Sequence, residues 1–241
     1  MDLPKTKKKP IRVLSVSEQR EIINHAKGRL CENLVQIALG TGMRAGELLG
    51  LTEDDIDFKK CEISVNKTLV YIKNSKTKKY FFKYQTPKTE KSIRVIPMQE
   101  SIYKALKRQH SLVSEMQMAS SEWKPLDGFE HLVFPGKTGR PLTEHSFQVG
   151  LDGIEKAINK ERQKEAEEYN EEFIPIPHFY PHAFRHTFAT RCFEAGIEAK
   201  VVQEYLGHSS IAITLDLYTH VTNDKARTKM DKLEVLYQKI G

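Results

Sequence analysis

Apolar residues recur at helical spacing from Leu14 to Leu51, alternate with polar ones between Cys61 and Val95, and return to helical spacing afterwards. Leu14-Ser-Val-Ser-Glu-Gln-Arg-Glu-Ile-Ile opens with hydroxyl residues able to cap a helix, and acids and apolar residues follow in helical register. Glu32 to Leu39 predicts a second helix, with Leu34, Ile37 and Ala38 on its buried face and Gly40 and Gly42 ending it. Arg44 opens a third, short helix whose Leu48, Leu49 and Leu51 are core anchors, so its guanidinium projects from a rigid base.

In the middle stretch Glu62-Ile-Ser-Val-Asn-Lys-Thr-Leu-Val alternates, Tyr80-Phe-Phe-Lys-Tyr is aromatic and strand-prone, and Ser92-Ile-Arg-Val-Ile ends at Pro97. These predict one antiparallel sheet of about three strands with lysine-rich turns at one end. A helix near Glu100 to Met118, a loop rich in breakers from Ser120 to Pro141 and a helix capped by Thr143 follow. Glu155 to Glu172 mixes seven acids with four bases, the composition of a solvated helix or an exposed insertion. Further helices are predicted from His182 to Ala195, stopping at Gly196, from Lys200 to Leu206, stopping at Gly207, and from Ile211 to Val221. Asp224 to Ile240 carries an amphipathic stripe of Met230, Leu233, Leu236, Tyr237 and Ile240. The fold class is mainly α with a small antiparallel β-sheet (α+β).

The 241 residues, 39% of them hydrophobic, suffice for one large domain or two small ones. The net charge of +6 is unevenly spread. Lys73, Lys76, Lys78, Lys79, Lys83, Lys88, Lys91 and Arg94 face the single acid Glu90, which reads as a phosphate-facing surface or as a hairpin edge blunted by lysines. Lys5-Thr-Lys-Lys-Lys-Pro10 is a second basic run without the apolar core of a secretory signal. No stretch approaches the roughly 18 apolar residues of a membrane span. Cys31, Cys61 and Cys192 lack the spacing of a zinc site and read as reduced core residues of a cytosolic protein.

The candidate chemistry lies in His182-Ala-Phe-Arg185, Leu206-Gly207-His208 and Thr214-Leu-Asp-Leu-Tyr-Thr-His220. A tyrosine hydroxyl, with its reference pKa of about 10, needs cations to hold a phosphate and a base to take its proton before it can attack a phosphodiester. His182 and Arg185, three apart on a helix, can face one way as a proton-transfer group and a phosphate clamp, or can be a capping histidine beside a surface arginine. Gly207 supplies a left-handed helix end, leaving His208 just beyond it as a phosphate donor or a plain turn residue. Tyr218 is either the nucleophile or a core aromatic between Leu217 and Val221; Tyr205 and Tyr237 compete with it, but neither follows a Gly-His turn by ten residues. Upstream, Thr41 to Leu51 contributes Arg44, with Glu47 as an orienting carboxylate, and Thr86 to Pro97 contributes Lys88, with Lys91 close enough to substitute. His178, His182 and His186 repeat every four residues, but Pro181 breaks the run, Ala183 stands where a zinc protease carries glutamate, and Arg185 would repel an ion.

In the order Arg, Lys, His-x-x-Arg, Leu-Gly-His, Tyr, these segments resemble the tyrosine recombinases, the phage and conjugative-transposon integrases, from about Leu14 to Tyr218. One departure is the distance from His208 to Tyr218, one residue longer than in many members. The resemblance implies the tyrosine-recombinase catalytic-domain fold, with 1–12 a basic lead-in or linker, 13–223 the catalytic domain, and 224–241 a C-terminal helix that docks on a neighbouring protomer or folds onto its own core. Family members usually carry an N-terminal DNA-binding domain ahead of the catalytic one. The resemblance further implies a site-specific DNA recombinase or integrase acting through a 3′-phosphotyrosyl intermediate. Tyr218 would be the nucleophile, Arg44 and Arg185 would bind the non-bridging oxygens, Lys88 would protonate the leaving oxygen, His182 would take the tyrosine proton and His208 would donate to the phosphate. Lys73, Lys76, Lys78, Lys79, Lys83 and Lys91 would contact DNA. Bond energy is conserved in the phosphotyrosyl link, so neither metal nor other cofactor is called for. The implied partners are double-stranded DNA, a homo-tetramer on that DNA and accessory DNA-bending proteins, with no membrane, at the nucleoid in the cytoplasm. A type IB topoisomerase and a catalytically silent DNA-binding module are the alternatives, and a metal-dependent nuclease is set apart by its loss of activity in chelator.

Overall fold

The structure, a computed structural model, describes residues 11–86 and 92–215. Helix α1 (Val16–Ala26) begins at Ser15, whose hydroxyl accepts from the Glu18 backbone while the Glu18 carboxylate accepts from the Ser15 N–H, a complete capping box. Helix α2 (Glu32–Thr41) buries Leu34, Val35, Ile37 and Ala38 and runs through Gly40, contrary to the expectation that Gly40 would help to end it; Gly42, at φ 63°, terminates it alone. At Gly40 the Ile102 side chain fills the space where a Cβ would stand, so the glycine serves the packing of α2 on α4 and not a helix end. Helix α3 (Ala45–Leu49) follows with Arg44 at its N-cap.

The middle of the chain forms two sheets rather than one. Strands β1 (Ile56–Asp57), β2 (Glu62–Val65) and β5 (Arg94–Pro97) pair antiparallel in the order β1-β2-β5, with Ile63 opposite Ile96 in the core. Strands β3 (Thr68–Lys73) and β4 (Tyr80–Gln85) make a separate hairpin. The alternation expected to run unbroken from Glu62 to Val70 stops at Asn66 and Lys67, because both side chains turn to the buried Asp55. An unpaired buried carboxylate would be costly, and these two donors, with the Thr52 hydroxyl, satisfy it.

One face of the hairpin is an aromatic ladder leading outward from the core. Leu69 is buried opposite Tyr84, then Tyr71 lies opposite Phe82 with ring centroids 4.6 Å apart, and Lys73 lies opposite Tyr80 with its Nζ 5.7 Å over the ring. At the tip Asn74 closes the turn, its Oδ1 accepting from the Lys76 and Thr77 amides.

Helices α4 (Glu100–Ala119) and α5 (Glu144–Tyr169) complete the larger core, α5 being capped by the Thr143 hydroxyl and running through the charged stretch as one helix, not an insertion. Helices α6 (Pro181–Glu194) and α7 (Ala199–Leu206) follow, and residues 211–215 are helical. Helix α2 is packed between α4 and α6, α3 rests on β3, and α7 meets both α6 and β5. That arrangement carries the ends of α2, α3, β5 and α7 to one place. Of the cysteines only Cys192 is buried; Cys31 is half-buried and Cys61 exposed, which corrects the reading of all three as core. No helix among the described residues is long and apolar enough to cross a membrane.

Candidate active site

Three consecutive carbonyls at the C-terminal end of α7 each receive a different arginine. Arg94 Nε donates to Tyr205 O at 2.6 Å, Arg185 Nη2 to Leu206 O at 2.5 Å and Arg44 Nη2 to Gly207 O at 3.5 Å. The last carbonyls of a helix lack intrahelical partners and sit at the negative end of its dipole, so they can hold guanidinium groups that would otherwise repel one another.

Glu47 supplies the countercharge. Its carboxylate accepts from the Arg44 backbone at 2.9 Å and from Arg44 Nη1 at 2.8 Å, and takes Arg94 Nη1 at 3.1 Å and Nη2 at 2.8 Å. Burial alone would raise this carboxyl; the hydrogen bonds and charge of Arg94, reinforced by Arg44, outweigh it and hold Glu47 at about 2. The Arg44 side chain is 39% exposed, whereas that of Arg94 is 5% exposed. Arg185 is 2% exposed and also donates from Nη1 to Gly42 O at 2.8 Å, which ties the end of α2 to the end of α7. Burial and the charges of Arg44 and Arg94 push its guanidinium down to about 9, so it remains charged at neutral pH.

The turn after α7 has the predicted left-handed glycine, Gly207 at φ 62°. The His208 amide bonds Gln203 O and the Gly207 amide bonds Glu204 O, the two hydrogen bonds of a Schellman motif, and Gln203 Nε2 returns to His208 O at 3.0 Å. His208 Nδ1 lies 2.9 Å from the hydroxyl of Thr214, which is wholly buried. Burial first, then the charges of Arg185, Arg44, His186 and Arg94, push His208 down to about 3. His182, in the first turn of α6, is exposed, and its ring meets that of His186 edge to face with centroids 5.2 Å apart. Partial burial and the charges of Arg185 and Arg44 hold His182 below the usual histidine range, and His186 is pushed to about 4 by burial and by His182 and Arg185. All three imidazoles are therefore neutral at pH 7.

The structure thus brings together Arg44, Glu47, His182, Arg185 and His208. Lys88, Lys91 and Tyr218 lie outside the described residues, as do residues 1–10 of the basic lead-in and the segment 224–241; Arg12, at the end of the lead-in, pairs with Glu18. Lys73, Lys76, Lys78, Lys79 and Lys83 are exposed along the β3–β4 hairpin. Arg94, counted with them as a phosphate-facing base, is instead buried against Glu47, because it shares the inward face of β5 with Ile96 while Ile93 and Val95 point out. Its alternation with Ile96 was the available signal, masked by apolar residues on both faces of that strand. Thr214 and the α7 carbonyls were also missed, and His186 was weighed only within a metal-like repeat; a backbone carbonyl leaves no mark in a sequence.

His178 does not join His182 and His186 in a ligand set among the described residues. It turns to α5, where its Nδ1 is 2.8 Å from Glu155 Oε2, and with Asp152 these groups place three potential ligand atoms within 4.8 Å of one another. The Asp152 carboxylate also accepts from Gln148.

The model of the phage integrase family matches residues 12–225. A tyrosine recombinase XerC-like protein of Caldanaerobacter subterraneus subsp. tengcongensis is 33% identical over 230 residues, 94% of this chain and 55% of its own length. The transposase from transposon Tn916 of Enterococcus faecalis is 31% identical over 228 residues, 93% of this chain and 51% of its own. The chain spans about half the length of these curated relatives. Among solved structures, the Tn1549 transposon integrase in complex with transposon right end DNA matches with a TM-score of 0.73 at 31% identity, over 94% of this chain and 67% of that one. XerA recombinase, at 22% identity over 96% of this chain and 66% of its own, shares the fold with a TM-score of 0.60. A family match that takes in every element of the arginine and histidine cluster leaves one assignment: the chain belongs to the phage integrase family, the tyrosine recombinases.

Proposed function

We propose that residues 13–223 are the catalytic domain of a site-specific DNA recombinase that cleaves and rejoins strands through a 3′-phosphotyrosyl intermediate. The observation that carries this reading is the convergence of Arg44, Arg185 and His208 on the end of α7, with His182 on α6 near enough to Arg185 and Arg44 for their charges to hold it below the usual histidine range. The Tn1549 integrase, similar over nearly the whole chain, was solved on transposon DNA, which supports double-stranded DNA as the substrate here.

In this mechanism the Tyr218 oxygen attacks a backbone phosphorus, a new O–P bond forms and the bond to the 5′-bridging oxygen breaks. Neutral His182 accepts the tyrosine proton, and Lys88 gives a proton to the departing oxygen. Arg44, partly exposed, meets the non-bridging oxygens first. Arg185 has three N–H groups beyond the two it donates to carbonyls, and in this reading they are the donors left for the same charge. When Thr214 donates its hydroxyl proton to Nδ1, His208 carries its own proton on Nε2 and can donate to the phosphate. A free 5′-hydroxyl from a second duplex then reverses the step.

The exposed lysines of the β3–β4 hairpin bind the phosphate backbone, with Lys91 nearby in sequence. The working form is a homo-tetramer on DNA at the nucleoid, helped by DNA-bending proteins, with 224–241 docked on a neighbouring protomer. The deciding experiment incubates the chain with a library of suicide duplexes and sequences the trapped DNA. Tyr218→Phe should lose the covalent adduct and keep DNA binding. An adduct that persists in that variant would reject Tyr218 as nucleophile, absence of any adduct would favour a silent binding module, and adducts without exchange between two marked duplexes would favour a topoisomerase.

A further inference from the structure

Arg94 takes no part in the proton transfers or phosphate contacts above, yet three parts of the site meet on its guanidinium. Nη1 and Nη2 pair with the two Glu47 oxygens at 3.1 and 2.8 Å, Nε donates to Tyr205 O at 2.6 Å, and Nη1 also reaches Ser92 O at 3.3 Å. The Glu47 carboxylate that it grips is the one that holds Arg44. Tyr205 lies three residues before His208, in the turn of α7 whose carbonyls end the helix. Ser92 lies four residues after Lys88, where the chain returns to β5.

We propose that Arg94 is a positioning residue, which sets Arg44 and the His208 turn at a fixed distance from each other by bridging the Glu47 carboxylate and the Tyr205 carbonyl. This rests on the reading of the site as a phosphodiester-cleaving centre. A buried ion pair is by itself poor evidence of a stabilising role, since apolar replacements of similar volume are often neutral or better. What an apolar pair could not supply is the geometry. The planar fork of an arginine binds a carboxylate with two nitrogens while Nε points elsewhere, and the single ammonium of a lysine cannot span both acceptors. The fit is close on the other side too: a Cβ on Gly207 would stand 3.0 Å from Arg94 Nη1, so the glycine turn and the guanidinium occupy adjoining space and a side chain there would press on Arg94. Without Arg94, the buried Glu47 would keep Arg44 as its one strong partner and draw it inward, away from the phosphate. The end of α7 would lose the hydrogen bond that ties it to β5.

The test uses the full 241-residue chain and the variants Arg94→Lys, Arg94→Met and the double replacement Glu47→Gln with Arg94→Met. Three quantities are read: affinity for a cleavable duplex, the single-turnover rate of adduct formation, and amide hydrogen exchange at Gly207 and His208. Arg94→Lys should bind DNA within about twofold of the parent, because the hairpin lysines carry most of the phosphate contacts, and should cleave about a hundredfold more slowly, the scale of loss for a misplaced catalytic group. Its Gly207 and His208 amides should exchange faster. If Arg94→Met does not fold, the double variant, which removes both charges together, should fold and be equally slow. Parent-like cleavage by Arg94→Lys or by the double variant overturns the proposal, since a countercharge for Glu47 would then be all that Arg94 supplies. Equal loss of binding and cleavage overturns it as well, by making Arg94 a support of the fold. If the parent chain itself forms no adduct, the cleavage reading fails, and the exchange measurement still decides whether Arg94 holds the turn: unchanged protection at Gly207 and His208 overturns the inference.

Discussion

The His208 imidazole and the Thr214 hydroxyl face each other at 2.9 Å, and Thr214 is wholly buried four residues before Tyr218 in the sequence. Thr214 belongs to the tract that carries the proposed nucleophile, and when its hydroxyl donates to Nδ1 the His208 proton sits on Nε2. Thr214→Val keeps the shape and deletes the hydroxyl. Loss of one hydrogen bond of about 1 kcal/mol should slow adduct formation roughly five- to tenfold, with DNA affinity unchanged and Thr214→Ser largely restored. Single-turnover cleavage of a suicide duplex measures it; a parent-like rate for Thr214→Val would free His208 from this tautomer control.

As the proposed general acid, Lys88 matters only while the leaving oxygen needs a proton. A 5′-bridging sulfur is a far better leaving group, so Lys88→Ala should be defective on the ordinary duplex and recover on the sulfur-substituted one, while Arg185→Ala should fail on both. Equal failure of Lys88→Ala on the two substrates would move that lysine to phosphate binding. Recovery of Lys91→Ala in its place would transfer the acid role to Lys91.

Acid should unfold the chain in two stages. His208 and His186, held at about 3 and about 4, take up protons more readily in the unfolded chain, so stability falls as the pH drops below the ordinary histidine value of 6.5. Glu47, at about 2 against an ordinary 4.5, stabilises the fold fully above pH 4.5, and this contribution, of order 3 kcal/mol, is lost between pH 4.5 and 2. Denaturant melts across this range, followed by circular dichroism, should show the lower stage flattened in the double variant Glu47→Gln with Arg94→Met. A lower stage of full size in that variant would assign it to other carboxylates.

The hairpin lysines are exposed and carry little of the fold. Replacing Lys76, Lys78 and Lys79 together by alanine should leave the melting temperature within a degree or so, and should lower the salt slope of DNA binding by about 0.9 for each phosphate contact removed. An unchanged slope would place the backbone contacts elsewhere on the surface.

Local signals carried most of the helices. Ser15 and Thr143 cap where hydroxyls precede acids, and Gly42 and Gly207 end helices in the left-handed region, because each depends on neighbours within a turn. The break between β2 and β3 was illegible because its cause, Asp55, is eleven residues away from Asn66 and buried only once the sheet has formed. Arg94 was misread for a related reason: a charged residue in a basic run gives no hint that a glutamate 47 positions upstream waits for it in the interior. The site motifs themselves were legible as residue types at set spacings. What holds them, the row of α7 carbonyls, belongs to the backbone.

The apolar interior among the described residues has two parts. Phe188, Ala189, Cys192, Phe193, Val202 and Leu206 form a cluster apart from the larger one beneath α1 to α5. The two approach each other at Gly42, where an added Cβ would stand 2.4 Å from Phe188 Cδ1 and 2.9 Å from Leu206 Cδ2. Six side chains, two of them phenylalanines, make a far smaller cluster than the main one among the described residues, so the end of α6, with α7 and the His208 turn, is expected to open more readily than the larger core. Such a unit opens and recloses many times in the lifetime of the whole fold. Limited proteolysis of the native protein should therefore cut there first, and should do so faster when an arginine tie to the carbonyls of α7 is removed.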